Sequence, residues 1–139
     1  MLSPQEIVSK MMEKDAFSNW LGIKLEEIKP GYCLLTSSLK KEMLNGFDIL
    51  HGGICYSLAD SALAFASNAY GQKCVSIETS ISHTRQVKIT DRLTTECIEL
   101  NRGKSYGIYQ VTIKNQEDKT VALFKGTVNI SKDLWKKEE

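Results

Sequence analysis

The stretch of this 139-residue chain best equipped for chemistry runs Asn45-Gly46-Phe47-Asp48-Ile49-Leu50-His51-Gly52-Gly53 and continues to Asp60. Two adjacent glycines ahead of a helix-forming segment let a ligand approach backbone N–H groups closely. The first turn of a helix leaves its amides unpaired and carries partial positive charge. Such amides suit a carbonyl oxygen that gains negative charge during attack. A plain tight turn explains Gly52-Gly53 as well. Asp60 is more specific: it is the only carboxylate between Gly53 and Tyr70, in a segment otherwise rich in Ala, Leu and Phe. Carboxylates are rarely buried without a partner. Where one is, desolvation raises its pKa and fits it to act as general base or nucleophile near neutral pH. The alternative is a solvent-facing Asp on a wet stripe with Ser57, Ser61 and Ser67.

His51 abuts the two glycines and either serves the chemistry or simply holds their turn. No second histidine lies nearby to share a metal, His83 being the only other one, so no metal site is expected. Neither Ser57 nor Cys55 has a histidine on its own helix face, which argues against a serine or cysteine nucleophile. Seven or eight residues separate Asp60 from the Gly52 and Gly53 amides, roughly 11 Å along a helix axis. One small carbonyl cannot touch both within a single chain. If both act on it, Asp60 must come from a second subunit, and the chemistry demands at least a homodimer.

The elements that must position these residues follow from punctuation and periodicity. Ser3-Pro4-Gln5-Glu6 is a capping box with proline at the first helical position, and predicts an N-terminal helix over about 3–18. Pro30-Gly31 marks a turn before a β-prone run from Tyr32 to Lys40. From about 53 to 70 a helix is apolar nearly all round and is expected to be buried, with Gly71 placed to cap its C-terminus. Cys74 to Gln86, Arg92 to Leu100, Tyr106 to Lys114 and Thr120 to Ile130 then read as four meandering antiparallel strands. The charged tail from Lys132 is expected to fray. The pattern is α+β, a single domain over 1–139 with an antiparallel sheet wrapped around one long central helix.

Totals exclude several function classes. Lys and Arg number 18 against 17 for Asp and Glu, so no basic excess points to nucleic acid. Anionic ligands must be met by a few placed cations. The longest apolar stretch, Ile54 to Ala69, is short for a membrane span and contains Asp60. Cys33, Cys55, Cys74 and Cys97 form no close pair for zinc or redox work and read as small buried hydrophobes. A soluble protein of the reducing cytoplasm is expected.

Asn45-Gly46, His51-Gly52-Gly53, Ser57-Leu58-Ala59-Asp60, Asn68 and Gly71 together resemble the phenylacetate-degradation (PaaI-type) thioesterases of the hotdog superfamily. Asp15 to Ile23 and Lys119 to Gly126 also look typical of that group. The resemblance implies a hotdog fold, with a six-stranded sheet around the central helix, paired into dimers and commonly homotetramers. It implies an enzyme that hydrolyses acyl-CoA thioesters, with aryl or medium acyl groups such as phenylacetyl, to free acid and CoA. No cofactor is implied, since coenzyme A is part of the substrate. Carried over by position, the Gly52 amide beside Gly53 polarises the carbonyl, and Asp60 of the partner chain activates water or attacks directly. Asn45 and His51 position the water and the loop, and Ser76 matches a position that orients water. Arg85, Lys88, Arg102 and Lys104 lie where relatives bind the nucleotide. One departure is Arg85-Gln86 and Thr90-Asp91-Arg92-Leu93, where relatives often carry Arg-Pro and Gly-Asp-x-Leu.

Two other readings belong to the same fold. A dehydratase or hydratase would want a histidine placed to exchange a proton at an acyl carbon, and His51 beside the double glycine suits hydrolysis better. A non-catalytic acyl-CoA sensor using the same pocket would be expected to carry an added DNA-binding segment, for which neither length nor basic bias speaks here.

Overall fold

The N-terminus opens as the capping box requires. In a computed structural model describing residues 1–137, the Glu6 amide donates to Ser3 Oγ at 3.2 Å and the Ser3 amide to Glu6 Oε1 at 3.1 Å. The helix α1 (Pro4–Lys14) buries Ile7 and Val8, then stops four residues short of the expected end. Asp15 is the reason. Its backbone leaves helical geometry, and its carboxylate caps a second short helix, α2 (Ala16–Leu21), accepting from the Ser18 amide at 2.9 Å and the Ser18 hydroxyl at 2.6 Å. Asn19 closes the joint by donating to the Met12 and Asp15 carbonyls.

Strands β1 (Lys24–Lys29) and β2 (Tyr32–Ser38) form a hairpin around Gly31, and a short 3-10 turn (Lys41–Met43) leads to the glycine-rich loop. The central helix α3 (Gly52–Asn68) follows. Its Leu58, Ala59, Ala62, Leu63, Phe65 and Ala66 are all buried, as an apolar circumference demands. Each large side chain among them contributes about 1.5–3 kcal/mol through burial. Strands β3 (Gln72–His83), β4 (Arg92–Arg102), β5 (Tyr106–Lys114) and β6 (Thr120–Leu134) complete a six-stranded antiparallel sheet. It curls around α3 in the hotdog arrangement. The curl is tight: a Cβ at Gly126 on β6 would meet Leu63 Cδ2 at 2.6 Å, so a larger residue there forces the Leu63 side chain to shift.

Three expectations are corrected. The last four strands do not meander in sequence order, because the sheet runs β1-β2-β4-β5-β6-β3. β3 crosses to pair with β6 and becomes an edge, while β4, β5 and β6 form the meander. Second, Gly71 does not cap α3. The helix ends at Asn68, whose buried carboxamide donates to the Ala64 and Cys74 carbonyls and accepts from the Cys74 amide at 3.0 Å. Gly71 instead takes a left-handed turn at φ 107° into β3. Third, the tail does not fray at Lys132: β6 continues to Leu134, and Trp135 hydrogen-bonds the Gly71 carbonyl and, through its indole, Asn68 Oδ1 at 2.8 Å. Residues 138 and 139 of that tail lie outside the described residues. Among the described residues, no helix is long and apolar enough to cross a membrane.

Candidate active site

The residues singled out by type and spacing fall into two clusters at different levels of α3. The first surrounds the helix start. Asn45 is a loop staple: its Oδ1 accepts from the Phe47 amide at 2.8 Å and the Ile49 amide at 3.4 Å, and its own amide donates to the Ile49 carbonyl at 2.8 Å. This ring closes the loop, with Asp48 in left-handed geometry at φ 59°. His51 is the N-cap of α3, and its Nδ1 accepts from the Gly53 amide at 2.9 Å. An accepting Nδ1 leaves the proton of a neutral ring on Nε2. The His51 backbone amide is tied to the Met43 carbonyl.

These bonds separate the two glycines. The Gly53 N–H is consumed by the cap, while the Gly52 N–H has no acceptor among the described residues. Gly52 therefore offers the one open amide at the positive end of a 17-residue helix. It opens on a cleft of about 430 Å³, lined by Asn45, Gly52, Cys55, His83 and Arg85 among others. Burial pushes the Cys55 thiol up to about 11, which disfavours the thiolate a nucleophile would need. Ser57 is likewise occupied, donating to the Gly53 carbonyl at 2.7 Å.

The second cluster lies two turns along. Asp60 is half-buried and lines a cleft of about 230 Å³ with Leu63, Ala64, Ser67 and Ser76. Desolvation raises its pKa, and the nearby Asp15 charge raises it further. Asp60 is thus not fully sunk: with Ser57, Ser61 and Ala64 it lies on a half-exposed stripe of α3, whereas Ser67 is buried. Its neighbour Ser61 meets Ser18 Oγ at 2.8 Å, and so links α3 to the Asp15 cap. Ser76 reaches this cluster because it pairs with Val128 on the sheet face that packs against α3.

The strand β3 connects the clusters. It runs against the direction of α3, with Ser76 beside Asp60, Thr79 meeting the Tyr56 hydroxyl, and His83 against Gly52. Asp60 and Ser76 stand together, as do Asn45, His51 and Gly52, but the two groups do not share a cleft. The proximity of His83 to Gly52 escaped sequence reasoning, which set that residue aside as too remote for metal binding. The crossover of β3 to the β6 edge, invisible in local periodicity, is what brings it there.

The four cations expected to meet a nucleotide do not form one patch in the chain. Arg85 lines the first cleft and Lys88 is exposed in the loop after it. Arg102 is half-buried at the other end of α3, its guanidinium 3.7 Å over the Tyr70 ring and donating to Gln72 Oε1 at 2.8 Å. That engagement makes Arg102 part of the sheet's framework. Lys104 stands exposed in the β4–β5 turn.

Residues 47–122 match the family model described as the thioesterase superfamily, from the glycine-rich loop through β3 and on into β6. The chain belongs to the thioesterase superfamily. Within it the resemblance to PaaI-type hotdog enzymes holds. The chain is 39% identical over 116 residues to a protein of Escherichia coli K12 named acyl-coenzyme A thioesterase PaaI, covering 84% of this chain and 83% of that one. The solved structure of the E. coli PaaI protein, from the phenylacetic acid degradation operon, superposes with a TM-score of 0.91 at 34% identity, covering 94% and 95% of the two chains. The TT0310 protein from Thermus thermophilus superposes at 0.80 with 33% identity over 84% of this chain and 97% of that one. As a superfamily member the chain is a thioester hydrolase.

Proposed function

We propose that this thioesterase hydrolyses acyl-CoA, with an aryl or medium acyl group of the phenylacetyl kind, in the cytoplasm and as an obligate homodimer that pairs again into a tetramer. The observation that carries the reading is the division of the site. One chain holds an open helix-start amide at Gly52 and, two helical turns away, a carboxylate at Asp60 whose ionised form is disfavoured by burial. Neither half completes a hydrolytic site alone. β3 carries both halves along its length and is an edge of the sheet with Val75 and Ile77 exposed at 66% and 56%. An exposed apolar edge strand is a template for pairing with another strand. Antiparallel pairing of β3 with a second copy would run the Gly52 end of one helix alongside the Asp60 end of the other. Buried free thiols at all four cysteines accord with a reducing compartment.

In this mechanism the thioester carbonyl accepts from the Gly52 N–H, and the helix dipole favours the charge that develops on its oxygen. Asp60 of the other copy, once ionised, takes a proton from water held by Ser76 as that water's oxygen bonds to the carbonyl carbon, or its own carboxylate oxygen bonds there instead. The C–S bond then breaks and coenzyme A leaves as its thiolate; on the second route water then hydrolyses the acyl–Asp60 anhydride to the free acid. Arg85 and Lys88 stand nearest the first cleft and would meet the phosphates, with Lys104 joining from the far end of a second copy. Free-thiol release from a panel of acyl-CoAs tests the reading. Turnover is expected to be highest with aryl-acetyl groups, and absence of release from every acyl-CoA would refute it.

A further inference from the structure

His83 closes β3 directly over Gly52. A Cβ built on Gly52 would stand 3.0 Å from His83 Nε2 and 3.1 Å from its Cε1, so the imidazole edge faces the bare glycine backbone. Its own backbone is held rigidly. His83 pairs with Ala122 on β6, and the next residue, Thr84, donates from its amide to the Val121 carbonyl and from its hydroxyl to the Thr120 carbonyl. The His83 ring, by contrast, hydrogen-bonds nothing among the described residues and borders the first cleft. The roles of the two histidines therefore differ. His51 is spent as a helix cap, whereas His83 has both nitrogens free beside the one open amide.

Resting on the acyl-CoA thioesterase reading above, we propose that His83 is a further catalytic residue, its Nε2–H donating to the same thioester carbonyl oxygen as the Gly52 N–H. A Cβ lies about 2.5 Å from its own amide nitrogen. The Gly52 nitrogen and His83 Nε2 are then at most about 5.5 Å apart, a span that one oxygen bridges when it accepts from each at about 2.9 Å. The ring transfers no proton. A bond forms from the attacking oxygen to the carbonyl carbon, the carbonyl oxygen takes the charge, and both donors hold it until the carbon–sulfur bond breaks. The geometry also assigns Gly52 a second reason to lack a side chain: any substituent would push the imidazole away from that oxygen.

The test compares His83→Phe, which fills a similar space without a donor, with His83→Gln, which keeps an N–H at similar reach. Loss of one oxyanion donor lowers kcat by roughly 10²-fold, so His83→Phe should fall by that factor while KM changes by less than about threefold. His83→Gln should recover most of the loss, to within about tenfold of wild type. A thioether analogue of the substrate with a methylene in place of the carbonyl should bind wild type and His83→Phe equally, since the ring addresses only the carbonyl oxygen. The inference is overturned if folded His83→Phe keeps kcat within about threefold of wild type, if Gln and Phe lower it alike, or if thioether binding weakens along with kcat. Wild type that releases no thiol at all would remove the parent reading and this one with it. Wild-type turnover that is indifferent to His83 removes this one alone.

Discussion

Two chains damaged at different ends of α3 should repair each other. Asp60 lies roughly 11 Å along the helix from the Gly52 amide, and the two border separate clefts in one chain. Asp60→Asn removes the carboxylate and leaves the helix start intact. Gly52→Val is the complementary lesion, since even its Cβ would fall 3.0 Å from the His83 ring, and its methyl groups would cover the amide. Each homodimer should be inactive. In a mixed dimer, one site receives the intact helix start of the first parent and the intact Asp60 of the second, while the other site inherits both lesions. Random exchange makes about half of all dimers mixed, each with one working site of two, so activity should return to about a quarter of wild type if the sites act independently. The assay is thiol release after mixing the purified parents, with subunit exchange followed by native mass spectrometry. Exchange without any recovery would show that the site is built within one subunit and refute the dimer argument.

Other outcomes follow from the same geometry. Asp60→Asn should lower kcat by roughly 10²–10⁴-fold, the contribution of a positioned acid–base group, in a thiol-release assay. Burial raises the Asp60 pKa, so its ionised form costs stability above the ordinary value of 3.8; Asp60→Asn should melt at or above the wild-type temperature at pH 7, and this gain should vanish as pH falls below that value. On the proposed role of Asp60, kcat should rise with pH through its elevated pKa. Asp15→Asn keeps an oxygen to cap α2 but removes the charge that helps raise Asp60, so the acid limb of the kcat–pH profile should move to lower pH; an unmoved limb would exclude any coupling between the two carboxylates. If Arg85 and Lys104 meet the phosphates as proposed, charge reversal at either should raise KM for acyl-CoA more than it lowers kcat, because uniform binding is lost. Unchanged KM in both variants would mark them as ordinary surface cations.

Much of the candidate site was legible in the sequence because its signals are local. A capping box, a double glycine ahead of an apolar helix and one carboxylate within that helix state their physics in a few adjacent residues. The 1.5 Å rise per residue then separates Asp60 from Gly52 without any coordinates. The N-terminal helix breaks at Asp15, since the same residue continues one helix or caps the next, and the contact of Ser18 with Ser61 on α3, which local sequence does not show, adds to the cap.

What only tertiary structure decided depends on pairing between distant segments. Strand order is not encoded in any strand's own alternation, so the passage of β3 to the far edge beside β6 could not be read from its residues. That crossover sets Ser76 next to Asp60 and His83 next to Gly52. The fate of each polar group was likewise a matter of partners. Which glycine amide stays open depended on where the His51 ring turned, and Arg102 is engaged because Tyr70 and Gln72 come within its reach. Composition and spacing set which chemistry the chain can do; long-range packing set which of its groups are free to do it.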